Sequence, residues 1–454
     1  MNRLLSLPNA WRVVLWGLLP LVLSVAPSLT GAEKKPIYWK EIKKKIKIAQ
    51  ATRNPAAYSK IVDILAPTGT ARAAETIIES TPFGLDHVLE RKVGKALAGM
   101  TELEARNVIY RALEKDSRYR ARIVLLAVAY HHYREHNYPE ALEALIHRLG
   151  DTDGTVLLTT VQWLGKLKEP AAVSALIKLL KREEKRPYGR LYRDVLDVLK
   201  GTTGEELTIA ADWKNYWETR KNGVPRKKKG QATTRVRKPD FFGVEINSDR
   251  VVFLLDVSSS MVRKDPPIIR EPVDKKKKKG STAVRKKKPK VKEVDPKTLP
   301  IERERMFRVK KELQRAINRL PPETSFPVVR FSHEVLFLGK SPKLLRATSA
   351  NKTSARSWVS SMKANGYTWT DTAFEKVFKE VKNFDTLVFL SDGMPRRDAQ
   401  NKIPRQDVLK KLREINRFKK VRIHSIGFEQ AGDNLKRFLH QVAQDNDGSF
   451  TSLE

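Results

Sequence analysis

Three short stretches of this 454-residue chain gather side chains that present hard oxygen atoms. The first is Asp256-Val257-Ser258-Ser259-Ser260, directly after the apolar run 251–255. The second is Asn365-Gly366-Tyr367-Thr368-Trp369-Thr370-Asp371-Thr372, ahead of a helical run that ends near Val381. The third is Ser391-Asp392-Gly393, at the end of the strand-like run Asp385-Thr386-Leu387-Val388-Phe389-Leu390. Hydroxyls and carboxylates in such places have two uses. They cap the following helix, or they face a ligand, because ligands of open α/β sheets bind outside the carboxyl ends of the strands. Capping accounts for the first stretch and leaves the other two unexplained. No nucleophile paired with a base, no Gly-rich phosphate loop and no water-activating metal cluster accompanies them, so the chain reads as a binding protein and not as an enzyme.

The elements that must position these loops follow from the pattern of apolar residues. Continuous runs such as Val251-Val252-Phe253-Leu254-Leu255 suit strands covered on both faces. Beyond them the pattern predicts a helix over 301–320, strands over 326–331 and 335–338, and helices over 355–363, 372–381 and 405–418. A strand over 421–428, a helix over 434–444 and a last strand over 449–453 complete the alternation. Strand and helix in alternation imply right-handed crossovers and a mostly parallel, doubly wound α/β sheet over 241–454.

Asp256-x-Ser258-x-Ser260 after a buried strand, the Gly366-x-Thr368-x-Thr370 loop and Ser391-Asp392-Gly393, in that order and in those strand contexts, resemble the metal-ion-dependent adhesion site of von Willebrand factor type A domains. The resemblance implies a metal site made by Asp256, Ser258, Ser260, Thr368 and Asp392, with Thr370 as the alternative to Thr368 if the register shifts by two. Hydroxyls with only two carboxylates suit a divalent ion that keeps several waters, Mg2+ first and Mn2+ or Ca2+ as alternatives. In the family the open position takes an Asp or Glu carboxylate from a partner protein.

The region 37–220 has helical periodicity, with helices expected over 71–80, 85–97, 101–113, 121–135 and 138–149. Gly154 to Leu167, the Glu169-Pro170 turn and the Ala172-Val173-Ser174-Ala175-Leu176-Ile177 core resemble a HEAT repeat, which buries its apolar faces only against neighbouring repeats. An irregular helical bundle is the other reading. His131, His132 and His136 read as a surface histidine cluster, and Trp213 and Trp217 as the pins of the last helix.

The formal net charge of +37 is concentrated in runs at 43–45, 226–229, 275–279 and 285–288. Such runs act as solvated segments or attract a polyanion, either an anionic cell-surface polymer or lipid headgroups. Nucleic acid is disfavoured as the partner, since no stacking-aromatic motif accompanies the lysines. Residues 221–240 read as a basic linker, and a Lys-rich insertion at about 263–300 reads as disordered. At the N-terminus, Arg3 and Arg12, the apolar run 13–25 and Thr30-Gly31-Ala32 predict an export signal of the general secretory route over residues 1–32. The alternative is a membrane anchor, against which the run is shorter than the roughly 20 apolar residues a span needs. The expectation is a periplasmic, envelope-associated or secreted protein. With no cysteine in the chain, disulfides and thiolate metal sites are excluded.

Overall fold

The computed structural model describes residues 37–221, 239–266 and 295–454. The expected export segment, most of the linker and the basic runs beyond residue 222 lie outside the described residues. The run at 43–45 is exposed on the first helix. Among the described residues no helix is long and apolar enough to cross a membrane.

Among the described residues eleven α-helices come first. They are α1 (Trp39–Thr52), α2 (Pro55–Leu65), α3 (Ala71–Ser80), α4 (His87–Ala98), α5 (Leu103–Lys115) and α6 (Tyr119–His136). After them come α7 (Pro139–His147), α8 (Gly154–Leu167), α9 (Val173–Glu183), α10 (Arg190–Thr203) and α11 (Ala210–Lys221). Local chemistry sets several boundaries. Thr70 and Asp86 cap α3 and α4, and Asp153 accepts from the amides of Thr155 and Val156 at 2.8 and 3.0 Å to start α8. Helices α2, α4, α6, α8 and α10 contact one another in succession, while α3 meets α5, α5 meets α7 and α9 meets α11. This two-layered stack of helix pairs is the solenoid arrangement, not an irregular bundle. Trp213 is fully buried and Trp217 donates to the Ser174 hydroxyl at 3.1 Å, so both pin α11 onto α9.

The histidine cluster is corrected by the structure. His132 is fully buried, its Nδ1 2.8 Å from the Tyr110 hydroxyl and its Nε2 3.1 Å from the Ala98 carbonyl oxygen. It is a core node that ties α4, α5 and α6 together, and its flank on α6 is apolar enough to hide the ring.

The C-terminal part is built on a six-stranded sheet. A small hairpin of β1 (Asp240–Phe241) and β2 (Val244–Glu245) precedes the central β3 (Val251–Asp256). Next come α12 (Arg305–Arg319), β4 (Ser325–Phe326), β5 (Val328–Phe331), β6 (Val335–Phe337), β7 (Leu345–Arg346), α13 (Ser349–Ser361) and α14 (Thr370–Glu380). The chain ends with β8 (Thr386–Leu390), α15 (Arg405–Asn416), β9 (Arg422–Phe428), α16 (Asp433–Gln444) and β10 (Phe450–Leu453). Strand order is β10-β9-β8-β3-β5-β6, parallel throughout except for β6 at the edge. Every residue of β3 and β8 is buried, as continuous apolar runs require. Val251, Phe253 and Leu255 face a core shared with α12 and α13, whereas Val252 and Leu254 face one shared with α14, α15 and α16.

Two expectations need correction. The strand expected over 326–331 breaks at Pro327, which has no amide to donate, so Ser325 and Phe326 pair instead with β7. The insertion expected to be disordered from 263 to 300 is ordered at both ends: Asp265 is buried, its amide donates to the Arg303 carbonyl at 3.0 Å, and Arg305 donates to the Arg263 carbonyl at 3.0 Å. Glu304 is extended, which separates a 3-10 turn at Ile301–Arg303 from α12 and makes this pairing possible.

The even-numbered helices dock on the amino edge of the sheet. Arg190, buried in α10, donates to the carbonyl oxygen of Asp385 at 2.9 Å and to that of Lys420, just ahead of β8 and β9. Asp194 pairs with Arg422 at 2.9 Å, Arg186 with Asp249 at 2.6 Å, Gln162 donates to Asp447 at 2.9 Å, and Arg417 pairs with the buried Glu90. The carboxyl edge, about 20 Å away along strands of this length, is left free by these contacts.

Two outcomes are expected. Burial lowers the pKa of His132 from 6.5 to about 4, and His424 is lowered to about 4 in the same way. The unfolded chain takes up these protons near pH 6.5, so their contribution is fully present above that pH and is lost as pH falls toward 4, at about 3 kcal/mol for each ring. Urea titrations across this window should show falling stability, with His132→Gln removing about half of the histidine-dependent slope. Arg190→Met should cost about 3–5 kcal/mol, because it strips the buried partner from Asp194 and from two carbonyls. Calorimetry should then show the helical stack and the sheet melting separately, where the native chain melts as one.

Candidate metal centre

β3 and β8 lie side by side and in parallel, with Leu255 opposite Leu390, so Asp256 and the Ser391-Asp392-Gly393 turn leave the sheet together. The winding of the strand order reverses between these two parallel strands, since β5 follows β3 on one side while β8, β9 and β10 build outward on the other. That is the switch point at which such sheets open a crevice. Backbone bonds stitch the loops: Asn365 donates to the Val257 carbonyl at 2.7 Å, Ser259 to Gly366 at 3.0 Å, and Arg396 to Thr368 at 2.9 Å.

All five residues expected at the site are brought together. Asp256 is fully buried; one of its oxygens accepts from the Ser258 amide at 2.8 Å and the other from the Ser391 hydroxyl at 2.5 Å. The Ser258 and Ser260 hydroxyls are 3.1 Å apart, and Ser260 donates to Asp392 Oδ1 at 2.6 Å. Thr368 joins through Gly393, where a Cβ would stand 3.0 Å from the Thr368 hydroxyl and 3.6 Å from that of Ser260. The third loop therefore needs glycine for the hydroxyls to converge. Thr370, the alternative, begins α14, is fully buried, and is not among the nearest neighbours of Gly393.

Burial, and then the neighbouring Asp392, push the Asp256 carboxyl up to about 7. Burial also raises Asp392, against the pull of Ser260 and Arg305. Two carboxylates withdrawn from water and repelling each other beside three hydroxyls are a cation-shaped deficit. Among the described residues no group of three or more His, Cys, Asp or Glu gathers for a metal, so a softer or more highly charged site is absent there. The donor set fits a hard divalent cation: Ser258, Ser260, Thr368 and Asp392 offer oxygens, and Asp256 adds charge and fixes the first loop.

Two residues of the site, Arg305 and Asp265, escaped the sequence reading, and Ser391 was read as part of the third loop without a role. Ser391 bridges Asp256 and the Gly393 amide. Arg305 and Asp265 form a buried pair, and Arg305 Nη1 also donates to Asp392 Oδ2 at 2.7 Å. Nothing in their spacing signals this, because Asp265 and Arg305 are separated by the basic insertion. Around the site Val262, Ile301 and Tyr367 expose large apolar side chains. A cavity of about 310 Å3 opens beside the second loop, lined by Ser332, His333, Trp358, Met362, Lys363 and Asn365.

With this geometry in view, the C-terminal part has the fold of a von Willebrand factor type A domain. The family model for that domain matches residues 303–451, and the model for HEAT repeats matches residues 111–189. The first match begins after the insertion and leaves out β3 and its loop, which the sheet places at its centre. No curated protein matches the chain. Similar solved structures include a von Willebrand factor type A protein from Catenulispora acidiphila, 16% identical, covering 46% of this chain and 40% of that one at a TM-score of 0.31. Another is proximal thread matrix protein 1 from the mussel byssus, 19% identical, covering 44% and 40% at a TM-score of 0.28. The chain thus spans 40% of the length of each.

Relieving the carboxylate repulsion should stabilise the metal-free protein. Asp256→Asn, measured at pH 8 in chelator, is expected to raise the thermal midpoint, by roughly 2–4 °C for each kcal/mol of repulsion removed. The same variant should show no added stabilisation by Mg2+ or Mn2+.

Proposed function

We propose that the chain is a non-enzymatic, metal-dependent binding protein that captures an acidic group of a partner protein, in adhesion or in scaffolding. The observation that carries this reading is the gathering of hydroxyls at the free edge of the sheet, Ser258 on Ser260, Ser260 on Asp392, and Thr368 against Gly393. A divalent cation held there, Mg2+ in the first place, supplies a Lewis-acidic position for a carboxylate oxygen of the partner. Ser260 orients Asp392, Ser391 and the Ser258 amide orient Asp256, and the backbone bonds from Asn365 and Ser259 hold the second loop against the first.

The surroundings support a protein ligand. Exposed Val262, Ile301 and Tyr367 offer apolar contact beside the polar centre, and the cavity lined by His333 and Trp358 is large enough for a neighbouring partner side chain. The helical stack braces the opposite edge and offers a second surface of its own, as solenoids do. The apolar run ahead of residue 32 supports action outside the cytoplasm.

Calorimetric titration of Mg2+ and Mn2+ into the full chain tests the reading. Binding should be lost in Asp256→Ala and Asp392→Ala. Gly393→Ala, which displaces the Thr368 hydroxyl by a few tenths of an ångström, should weaken binding by about tenfold, or about 1.4 kcal/mol. Retention of full affinity in both alanine variants of the carboxylates would sink the proposal.

A further inference from the structure

Asp392 spends its two oxygens on different donors. Oδ1 accepts from Ser260 at 2.6 Å and Oδ2 from Arg305 Nη1 at 2.7 Å. The rest of the Arg305 guanidinium grips Asp265, with Nε 2.9 and 3.0 Å from its two oxygens and Nη2 at 2.6 Å. The side chains of Arg305 and Asp265 are 3% exposed and that of Asp392 is 0% exposed, so water screens this triad little. Arg308 adds a second cation, 3.8 Å from Asp265.

We propose that Arg305 is a resident counter-cation of the metal centre, competing with the divalent ion for Asp392 and lowering its affinity, while Asp265 sets the strength of that competition by drawing the guanidinium away. The inference rests on the metal reading above. A fixed positive charge hydrogen-bonded to a ligand carboxylate repels an incoming dication in a poorly screened site. It also occupies an oxygen that the ion would otherwise share. Asp265 is an anion placed beyond the first ring of oxygens, where its effect reaches the metal only through Arg305. Both residues lie on the paired segments that close the base of the basic insertion: Arg305 donates its amide to Arg263, Asp265 donates its amide to Arg303, and Arg303 Nε returns to the Asp265 carbonyl at 2.6 Å. Metal affinity is thereby tied to the closure of that strap.

The test is Mn2+ titration by calorimetry on the full chain, with thermal melts in chelator as a check on folding. Asp265→Asn leaves Asp392 as the main anion for Arg305 and should weaken Mn2+ binding several-fold. The volume-matched pair Arg305→Met with Asp265→Leu removes the competitor together with its counter-charge, and should bind Mn2+ about tenfold more tightly than the native chain. Equal or weaker binding by the folded double variant would show that Arg305 only orients Asp392, and overturns the competition. A native chain that binds no Mn2+ while the double variant does would still support the inference and would refute the resting metal site. Failure of both to bind would overturn both.

Discussion

Two carboxylates, Asp256 and Asp392, are withdrawn from water at the ends of adjacent strands, and the rest of the site is arranged around the cost of keeping them there. Burial and mutual repulsion favour their neutral forms, so every neighbouring donor compensates: the Ser258 amide and Ser391 hydroxyl on one, the Ser260 hydroxyl and Arg305 on the other. None of these donors except Arg305 brings a full charge. The site is therefore short of positive charge on the Asp256 side and supplied with it on the Asp392 side. That asymmetry is the basis of the proposal that a small dication binds here with Arg305 as its competitor.

Sheet polarity decides where such a site can sit. Parallel strands send all their carboxyl ends to one edge, and the reversal of strand order between β3 and β8 opens that edge. The opposite edge presents the amino ends of the same strands, and there α8, α10 and the turn before α10 place Gln162, Arg190, Asp194 and Arg186 against the turns before β3, β8, β9 and β10. A buried arginine serving two carbonyls and a carboxylate fixes orientation more than it adds stability, since its desolvation is costly. The helical stack is thus a brace that leaves the oxygen-lined edge clear, and a partner can approach without meeting it.

Much of this was legible in the sequence because the informative signals are local. Continuous apolar runs marked β3 and β8, the short polar strings marked the loops at their ends, and Leu164-Gly165-Lys166-Leu167 with its proline turn marked a helix pair. What stayed hidden depends on contacts distant in the chain. α1 buries only Ile42 and Ala49, too few to mark a face. His132 looks like its exposed neighbours until Tyr110 and Ala98 close over it. α13 begins six residues earlier than expected, at Ser349, because its first turns are polar and its start is set by the Thr348 cap and not by burial. Asp265 and Arg305 vanish from any local window, since the insertion places them 40 residues apart in sequence.

The insertion raises a physical question that the strap at its base answers. The sequence between 266 and 295 is rich in lysine, and positive charge close to an oxygen-lined site opposes a cation. Its two ends are zipped by backbone bonds between Arg263 and Arg305 and between Asp265 and Arg303, and the buried Asp265 carboxylate neutralises the arginine that faces Asp392. The positive charge in direct contact with Asp392 is therefore the Arg305 guanidinium, shared between two carboxylates in fixed geometry. Asp265 and Arg305 together let a strongly basic chain keep an oxygen-lined site whose own charge is negative, and that separation is the condition for placing such an insertion next to such a site.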